Sequence, residues 1–380
     1  MTTLFSSSVF FFGNKYMTKR VLITGGAGFI GSRLVKALLR QDPSQQIWVF
    51  DNLHPQVHGD NPDTPAFPDG VHFVRGDVAD AAALITVVQQ AQPELVYHLA
   101  AETGTGQSYD EPTRYCAVNV LGTTNLIEAL RGVDTTRRVV LAASRAVYGE
   151  GGYRDAAGVE FVGLPRQPQS MTEGDFSVPL PKAASLPATP SASHSGLPPA
   201  PASVYASTKL MQEYLLCQAG EGAGWEVTIL RFQNVYGPGQ SLRNPYTGVL
   251  SIFARQLIAG GQLAIFEDGE IARDFVFVDD VVASLVCASL HPVEHGSIID
   301  IGSGEAVTIL DMARMLMRAL GVSDDAYTVT GQFRIGDIRY ACADISAAAA
   351  RLQWTPQVSI QSGVQQLADW AKIEFKTATL

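Results

Sequence analysis

The sequence predicts an α/β fold, a Rossmann-type doubly wound parallel sheet with a smaller C-terminal α/β substrate lobe. Three observations predict it. Apolar runs alternate with helical periodicity from residue 20 onward, a glycine-rich turn TGGAGFIG joins the first run to the first helix, and Asp51 closes the second run. Strands that are apolar throughout and separated by helices mean a parallel sheet covered on both faces.

The elements follow in order. RVLIT is a strand, FIGSRLVKALLR a helix, IWVFD and VHFVRGD strands, AAALITVVQQAQ a helix, ELVYHLAA a strand, TRYCAVNVLGTTNLIEALR a helix and RRVVLAAS a strand. Between 151 and 202 the pattern breaks, because Pro165, Pro168, Pro179, Pro181, Pro187, Pro190, Pro198, Pro199 and Pro201 leave no room for a persistent regular element. The composition of this insertion favours disorder over a role in shaping a pocket. Doubly wound patterning resumes with SVYASTKLMQEYLL, a helix capped by Ser203, and with WEVTILRF. The expected organisation is an N-terminal extension, 1–17, ahead of a dinucleotide-binding domain, 18–232, that carries the insertion. A lobe over 233–380 follows, with 266–294 returning to the first domain.

At 380 residues, 46% hydrophobic and 17% charged, the chain is long enough for a large core. A formal charge of -10 and no Lys/Arg run give no footprint for nucleic acid or an anionic membrane surface, so any phosphate must be held by a few placed groups. No apolar run reaches the ~18 residues of a membrane helix, and the N-terminus lacks a signal-peptide pattern. Cys116, Cys217, Cys287 and Cys342 are far apart in apolar or helical sequence, which fits buried, reduced thiols in a cytoplasmic protein. No metal-ligand spacing occurs, so no metal is expected.

Gly25, Gly28 and Gly31 lie between a strand and a helix, where glycines permit a tight turn and a pyrophosphate can sit on free helix N–H groups. Asp51, 20 residues past Gly31, accepts from both ribose hydroxyls and repels a 2'-phosphate, which favours NAD over NADP. Asp77, ending the next strand, is placed to reach the adenine amino group. Without its neighbours it would read as a solvated strand end.

Tyr205 and Lys209 stand four apart on one face of the Ser203 helix, a spacing that chance gives in roughly one such chain in five. The apolar Leu210, Met211, Tyr214 and Leu215 mark a second face, expected to pack or to dimerise. Ser144 ends the fifth strand, at the edge where ligands of such sheets bind. A tyrosine phenolate at pH 7 needs roughly 4 kcal/mol of stabilisation. One cation about 5 Å away at an effective dielectric of 20 supplies roughly 3 kcal/mol. Lys209 and a positively charged nicotinamide ring together suffice. Tyr205 can then take a hydroxyl proton as hydride leaves the carbon, with Ser144 hydrogen-bonded to the same oxygen.

TGGAGFIG, DN after the second strand, GDV, HLAA, NVLGT, a Ser before VYG, and YxxxK together resemble the extended short-chain dehydrogenase/reductases. The resemblance runs from about residue 20 to 370 and is to the NAD-dependent sugar-nucleotide epimerase and dehydratase branch. Only the insertion departs from it. It implies a cytoplasmic homodimer paired through helices at about 113–130 and 203–219, with a nucleotide-diphosphate sugar as substrate. It carries cofactor contacts onto Gly25, Gly28, Phe29, Ile30, Gly31, Asp51, Asn52, Asp77, Val78, Leu99, Ala100, Ala101, Asn119, Tyr205 and Lys209. Substrate contacts fall on Thr103, Ser144, Arg145, Asn234, Thr247, Gly248, Val249, Phe266 beneath the nucleobase, and Arg273 and Arg334 at the pyrophosphate.

Dehydratases of this family carry Asp-Glu directly after the strand-five Ser or Thr; here Arg145 and Ala146 stand there, so the carboxylate pair for water loss is missing. Oxidation at carbon 4 with return of the hydride remains. AAETGTGQS, RAVYGEG and GDIRY look closest to the dTDP-L-rhamnose 4-epimerases. A carbon-4 ketoreductase, another carbon-4-oxidising member such as a UDP-hexose 4-epimerase, and a non-enzymatic NAD-binding sensor are the alternatives. The intact Tyr205 and Lys209 weigh against the last.

Overall fold

The computed structural model describes residues 19–379 except 61, 243, 245 and 247, and of 377–379 the backbone only. The extension 1–17 and Thr247 lie outside the described residues. Five strands, β1 (Arg20–Thr24), β2 (Gln46–Asp51), β3 (Val71–Arg75), β4 (Leu95–His98) and β5 (Arg138–Ser144), join Glu226–Phe232 and Ser297–Ile301 in one sheet. Its order is 297–301, 226–232, β5, β4, β1, β2, β3, and every pairing is parallel. The order reverses between β1 and β4, which opens a crevice at their C-terminal ends.

Continuous apolar strands follow from burial on both faces. Val21 and Ile23 pack into one core with Leu34, Val35, Leu38, Val281 and Leu285, while Leu22 between them packs into the other with Phe50, Leu84, Leu126 and Leu216. A third core, from Tyr236, Leu250, Phe253, Phe275, Phe277, Met312, Leu316, Val364 and Leu367, holds the smaller lobe. The strand Ala272–Phe277 links the two bodies: it pairs with Asn234–Tyr236 and Ala306–Thr308, sends Phe275 and Phe277 into the lobe core, and sends Val276 into the sheet core. From there the helix Val278–Leu290 packs on α1 (Gly31–Gln41).

The insertion differs from its composition. It contains an antiparallel sheet of Gly152–Arg154, Glu160–Val162 and Thr189–Ser191 and a short helix Pro168–Thr172, and it is tied to the lobe through Ser193, whose N–H and C=O bond Cys342 and Asp344. Proline confined to turns, a helix start and an edge strand is compatible with all of these.

The helix Val204–Ala223 turns polar side chains inward beside small and apolar ones: Thr208, Lys209, Gln212 and Glu213 are buried with Ala206, Leu216 and Ala219, while Met211 and Tyr214 are exposed. Its apolar residues divide: Leu215 and Leu216 pack into the core of Leu22, Leu210 packs against Val147, Tyr148 and Leu197, and Met211 and Tyr214 lie outside. Cys116, expected buried, is exposed.

In the β1–α1 turn Gly25 has φ +70, and a Cβ on Gly31 would lie 2.5 Å from both the Gly25 carbonyl oxygen and the Gly26 Cα. Gly31→Ala must therefore push the helix away from the turn. The expected cost is about 1–3 kcal/mol, read as a lowered melting temperature by calorimetry.

Candidate active site

The crevice at the strand reversal is lined by ten of the expected residues. Gly25, Gly28, Asp51, Asn52, Asp77, Val78, Leu99, Ala100, Ala101 and Thr103 surround one pocket, together with Phe50, Gln56 and Arg114. Thr103, assigned to the substrate by resemblance, lines the same pocket. Asp51 is shaped by its neighbours: one carboxylate oxygen accepts from the Ala27 N–H at 3.0 Å and the other from the Leu53 N–H at 2.9 Å. Each oxygen keeps a lone pair for a ribose hydroxyl. Asn52 donates to Asp77 at 2.9 Å, joining the ends of β2 and β3. Phe29 lines a separate, adjoining pocket with Ala27, Ser32 and Trp370, and Ile30 caps α1 and packs into two cores.

Asn119 belongs to the helical segment that follows β4. It is fully buried, its amide donates to the Glu102 carbonyl at 3.1 Å and to Thr208 at 2.9 Å, and its oxygen accepts from the Glu102 N–H at 2.8 Å. It braces the loop after β4 against the Tyr205 helix with both amide hydrogens, and its Oδ1 keeps one lone pair. It sits in a π-helical turn, Cys116–Leu121, that interrupts the helix read from sequence.

Ser144 closes β5 and its hydroxyl caps the turn Arg145–Tyr148 by accepting from the Ala146 N–H at 3.2 Å. Across the crevice Ser203 caps the next helix, as expected, by accepting from the Ala206 N–H at 3.1 Å. That cap sets Tyr205 on the first turn of the helix. Burial raises the Tyr205 pKa, while the Ser144 hydroxyl and the Arg145 charge pull it back. Tyr115 meets the Tyr205 ring edge-on at 6.3 Å and donates to the Thr103 carbonyl at 2.7 Å.

Lys209 is buried and its ammonium donates to the Ala142 carbonyl and to Gln212 Oε1, both at 2.6 Å. Desolvation pushes its pKa down to about 8, so it remains mostly charged at pH 7. The Gln212 amide continues to Thr123 at 2.8 Å, beside His98, whose two ring nitrogens meet Thr24 at 2.7 Å and Thr123 at 2.9 Å. Burial, then Lys209, push the His98 pKa down to about 3, so the ring is neutral. Sequence reasoning missed this polar chain, since a buried Gln and His carry no spacing signal. The charge of Arg145, which the sequence reading gave to the substrate, also lowers the Tyr205 pKa.

On the lobe side, Asn234, Val249, Phe266, Arg273 and Arg334 line one pocket with Asp337. Gly248 caps the helix Val249–Ile258. Arg334 lies over the Phe266 ring at 4.8 Å. Arg273 is largely committed to the protein, donating to the Asp337 carboxylate at 2.6 Å and to the Ala272, Ile338 and Arg339 carbonyls. Gln233, next to Asn234, is buried at the sheet edge with both amide atoms unpaired among the described residues, a second residue the sequence did not single out.

Residues 21–170 and 181–302 match the model of the NAD dependent epimerase/dehydratase family. The chain belongs to this family. The family chain is 40% identical to a dTDP-L-rhamnose 4-epimerase of Burkholderia thailandensis over 361 residues, 94% of this chain and 96% of that protein. It is 30% identical to a UDP-glucose 4-epimerase of Mycolicibacterium smegmatis over 92% of this chain and 98% of that one. A Thermus thermophilus UDP-glucose 4-epimerase solved with NAD superposes with a TM-score of 0.74 at 28% identity, covering 93% of this chain and 99% of its own. The cofactor of this family is NAD, and the Gly25–Gly31 turn with Asp51 fits it: the turn has no room for a Cβ at Gly31, and both Asp51 oxygens face the groove-forming loops.

A general base worth about 10²–10⁴-fold is expected at Tyr205, so Tyr205→Phe should lower kcat by that factor while bound NAD, read by absorbance, is retained. Tyr205 must be a phenolate to accept a proton, so activity falls as pH drops through its pKa. Arg145→Met removes a pKa-lowering charge, and the acid limb of the kcat profile should move to higher pH.

Proposed function

We propose that the protein is an NAD-dependent sugar-nucleotide 4-epimerase that works through a transient 4-keto sugar, on a dTDP-6-deoxyhexose such as dTDP-L-rhamnose. NAD, when bound, would accept the carbon-4 hydride and give it back. Tyr205 would remove the carbon-4 hydroxyl proton with Ser144 hydrogen-bonded to the same oxygen, and would return that proton after the sugar has presented its other face. Arg145 and Lys209 would hold Tyr205 and its surroundings electropositive.

The observation that carries this reading is what surrounds Arg145. Where dehydratases resemble one another in an Asp-Glu pair, the turn has Arg145 and Ala146, and the nearest carboxylates are engaged elsewhere: Glu150 by Arg166 and the Arg339 N–H, Asp337 by Arg273. No free carboxylate is at hand there, among the described residues, for protonating a leaving hydroxyl. The 40% identity to a dTDP-L-rhamnose 4-epimerase supports the substrate class. Asn234, Gly248, Val249, Phe266, Arg273 and Arg334 would form the nucleotide-diphosphate side, with Arg334 the most available cation.

The reading extends to a cytoplasmic homodimer. No helix among the described residues is long and apolar enough to cross a membrane. The helix Val204–Ala223 packs beside the 112–131 helical segment, and together they expose Leu121 at 49%, Met211 at 45% and Tyr214 at 50%, an apolar face that a second copy would cover.

Incubation with dTDP-L-rhamnose should yield the carbon-4 epimer by NMR without net NADH, faster than UDP-glucose reacts. Accumulation of a 4-keto-6-deoxy product, or a need for added reductant, would sink the proposal. Light scattering should give a dimer, and Tyr214→Glu should shift it to monomer.

A further inference from the structure

The proline-rich insertion places one arginine at the junction of the three segments that build the substrate half of the site. Arg166 has a side chain only 2% exposed. Its Nε donates to Glu150 at 3.0 Å, Nη1 donates to both oxygens of Glu267 at 2.9 Å, and Nη2 donates to the Asp337 carbonyl at 2.8 Å. Glu150 follows the turn of Ser144 and Arg145, Glu267 follows Phe266, and the Asp337 carboxylate holds Arg273. The guanidinium fork therefore fixes the sugar-side turn, the ring at the base side and the arginine at the diphosphate side relative to one another.

Glu267 shows how this grip reaches Phe266. Its backbone has φ +54, a region rare for a residue with a Cβ. Its carboxylate, fully buried, is held by Arg166 and by Arg339 at 3.0 Å. Its backbone N–H donates to the Gln332 carbonyl at 2.7 Å and its carbonyl accepts from the Gly331 N–H at 3.2 Å. The strained backbone of Glu267 thus ties the 330–332 loop and aims Phe266. Two residues after Arg166 the insertion starts the helix Pro168–Thr172, whose Met171 and Thr172 face Phe266, Thr330, Gln332 and Phe333 across an open pocket of about 450 Å³. On the other side Phe266 lines the pocket of Asn234, Arg273 and Arg334.

We propose that Arg166 is a positioning residue for the substrate, and that the helix it anchors supplies, through Met171 and Thr172, one wall of the pocket that selects the nucleobase. The insertion is then part of the nucleotide site. This rests on the reading that the lobe takes a nucleotide-diphosphate sugar.

The test uses the purified, NAD-containing enzyme titrated calorimetrically with dTDP and with UDP, beside steady-state kinetics on the nucleotide sugar. Arg166→Met should raise the Kd for dTDP and the KM for the sugar nucleotide about tenfold or more, with kcat changed far less and NAD content unaltered. Arg166→Lys, which keeps the charge without the fork, should recover part of the loss. Because Arg166→Met leaves two buried carboxylates short of a partner and can fail to fold, Met171→Ala serves as the second variant. It should change the ratio of the dTDP and UDP Kd values by about threefold or more without altering NAD content. If both variants bind dTDP and UDP as the parent does, or if Arg166→Met lowers only the melting temperature and kcat, the insertion is a cover and the proposal fails. A parent enzyme that binds neither dTDP nor UDP would overturn the nucleotide-sugar reading itself, and this proposal with it.

Discussion

A cation sealed inside the protein imposes the arrangement on which the site depends. Lys209 can stay charged in the interior only if its donors are met, and the Ala142 carbonyl of β5 and Gln212 meet two of them. Gln212 must in turn be satisfied by Thr123 and the neutral His98. One turn further, Glu213 takes a fork from Arg231, at 2.9 and 2.6 Å, and Arg231 lies over the Tyr148 ring at 4.6 Å while Tyr148 donates to Asp300. The polar face of the helix is thereby laced to β4, β5 and both strands beyond β5. Charge-assisted bonds of about 1.5–3 kcal/mol each are set against desolvation of several kcal/mol per ion, so the net gain is geometric: the first turn, with Tyr205, cannot rotate away from Ser144.

That same constraint explains the apolar outer face. A helix has about 100° of stripe to bury, and here much of the inward stripe is taken by Lys209, Gln212 and Glu213. Leu215 and Leu216 still reach the core, while Met211 and Tyr214 are left facing out. Apolar periodicity in the sequence reports that a face exists; which partner it meets is decided by chains and residues far away. The expected packing face was therefore legible, and its destination was not.

The β1–α1 turn, the strand-end Asp51 and Asp77, and Ser144 at the end of β5 were legible because their geometry is set within a few residues: a glycine where a Cβ has no room, a carboxylate at the end of a strand of known direction. The bracing role of Asn119 was not legible, because its partners, Glu102 and Thr208, are 17 and 89 residues away. The insertion was misjudged for the same reason at larger scale. Proline content sums local propensity and rightly excludes long helices, but order here comes from Arg166 reaching residues 16, 101 and 171 positions distant. Nothing in LPRQP announces such a contact.

Charge pairing around Arg145 joins these points to the chemistry. The protein carries a net charge of -10, and yet its substrate would bring a diphosphate. The carboxylates nearest the site are each held by an arginine: Glu150 and Glu267 by Arg166, Asp268 by Arg339, Asp337 by Arg273. Paired in this way they neither repel a phosphate nor offer a proton. Arg145, its pKa pushed down to about 9 by burial and by the Arg273 charge, draws the Tyr205 pKa down. Replacing the paired acids by apolar residues would remove the repulsion equally well, but it would also remove the bonds by which the insertion fixes Phe266 and the 330–332 loop. A site that must hold a long, charged ligand at one end while moving a single proton at the other has reason to keep its ion pairs: they neutralise charge and set distance at once.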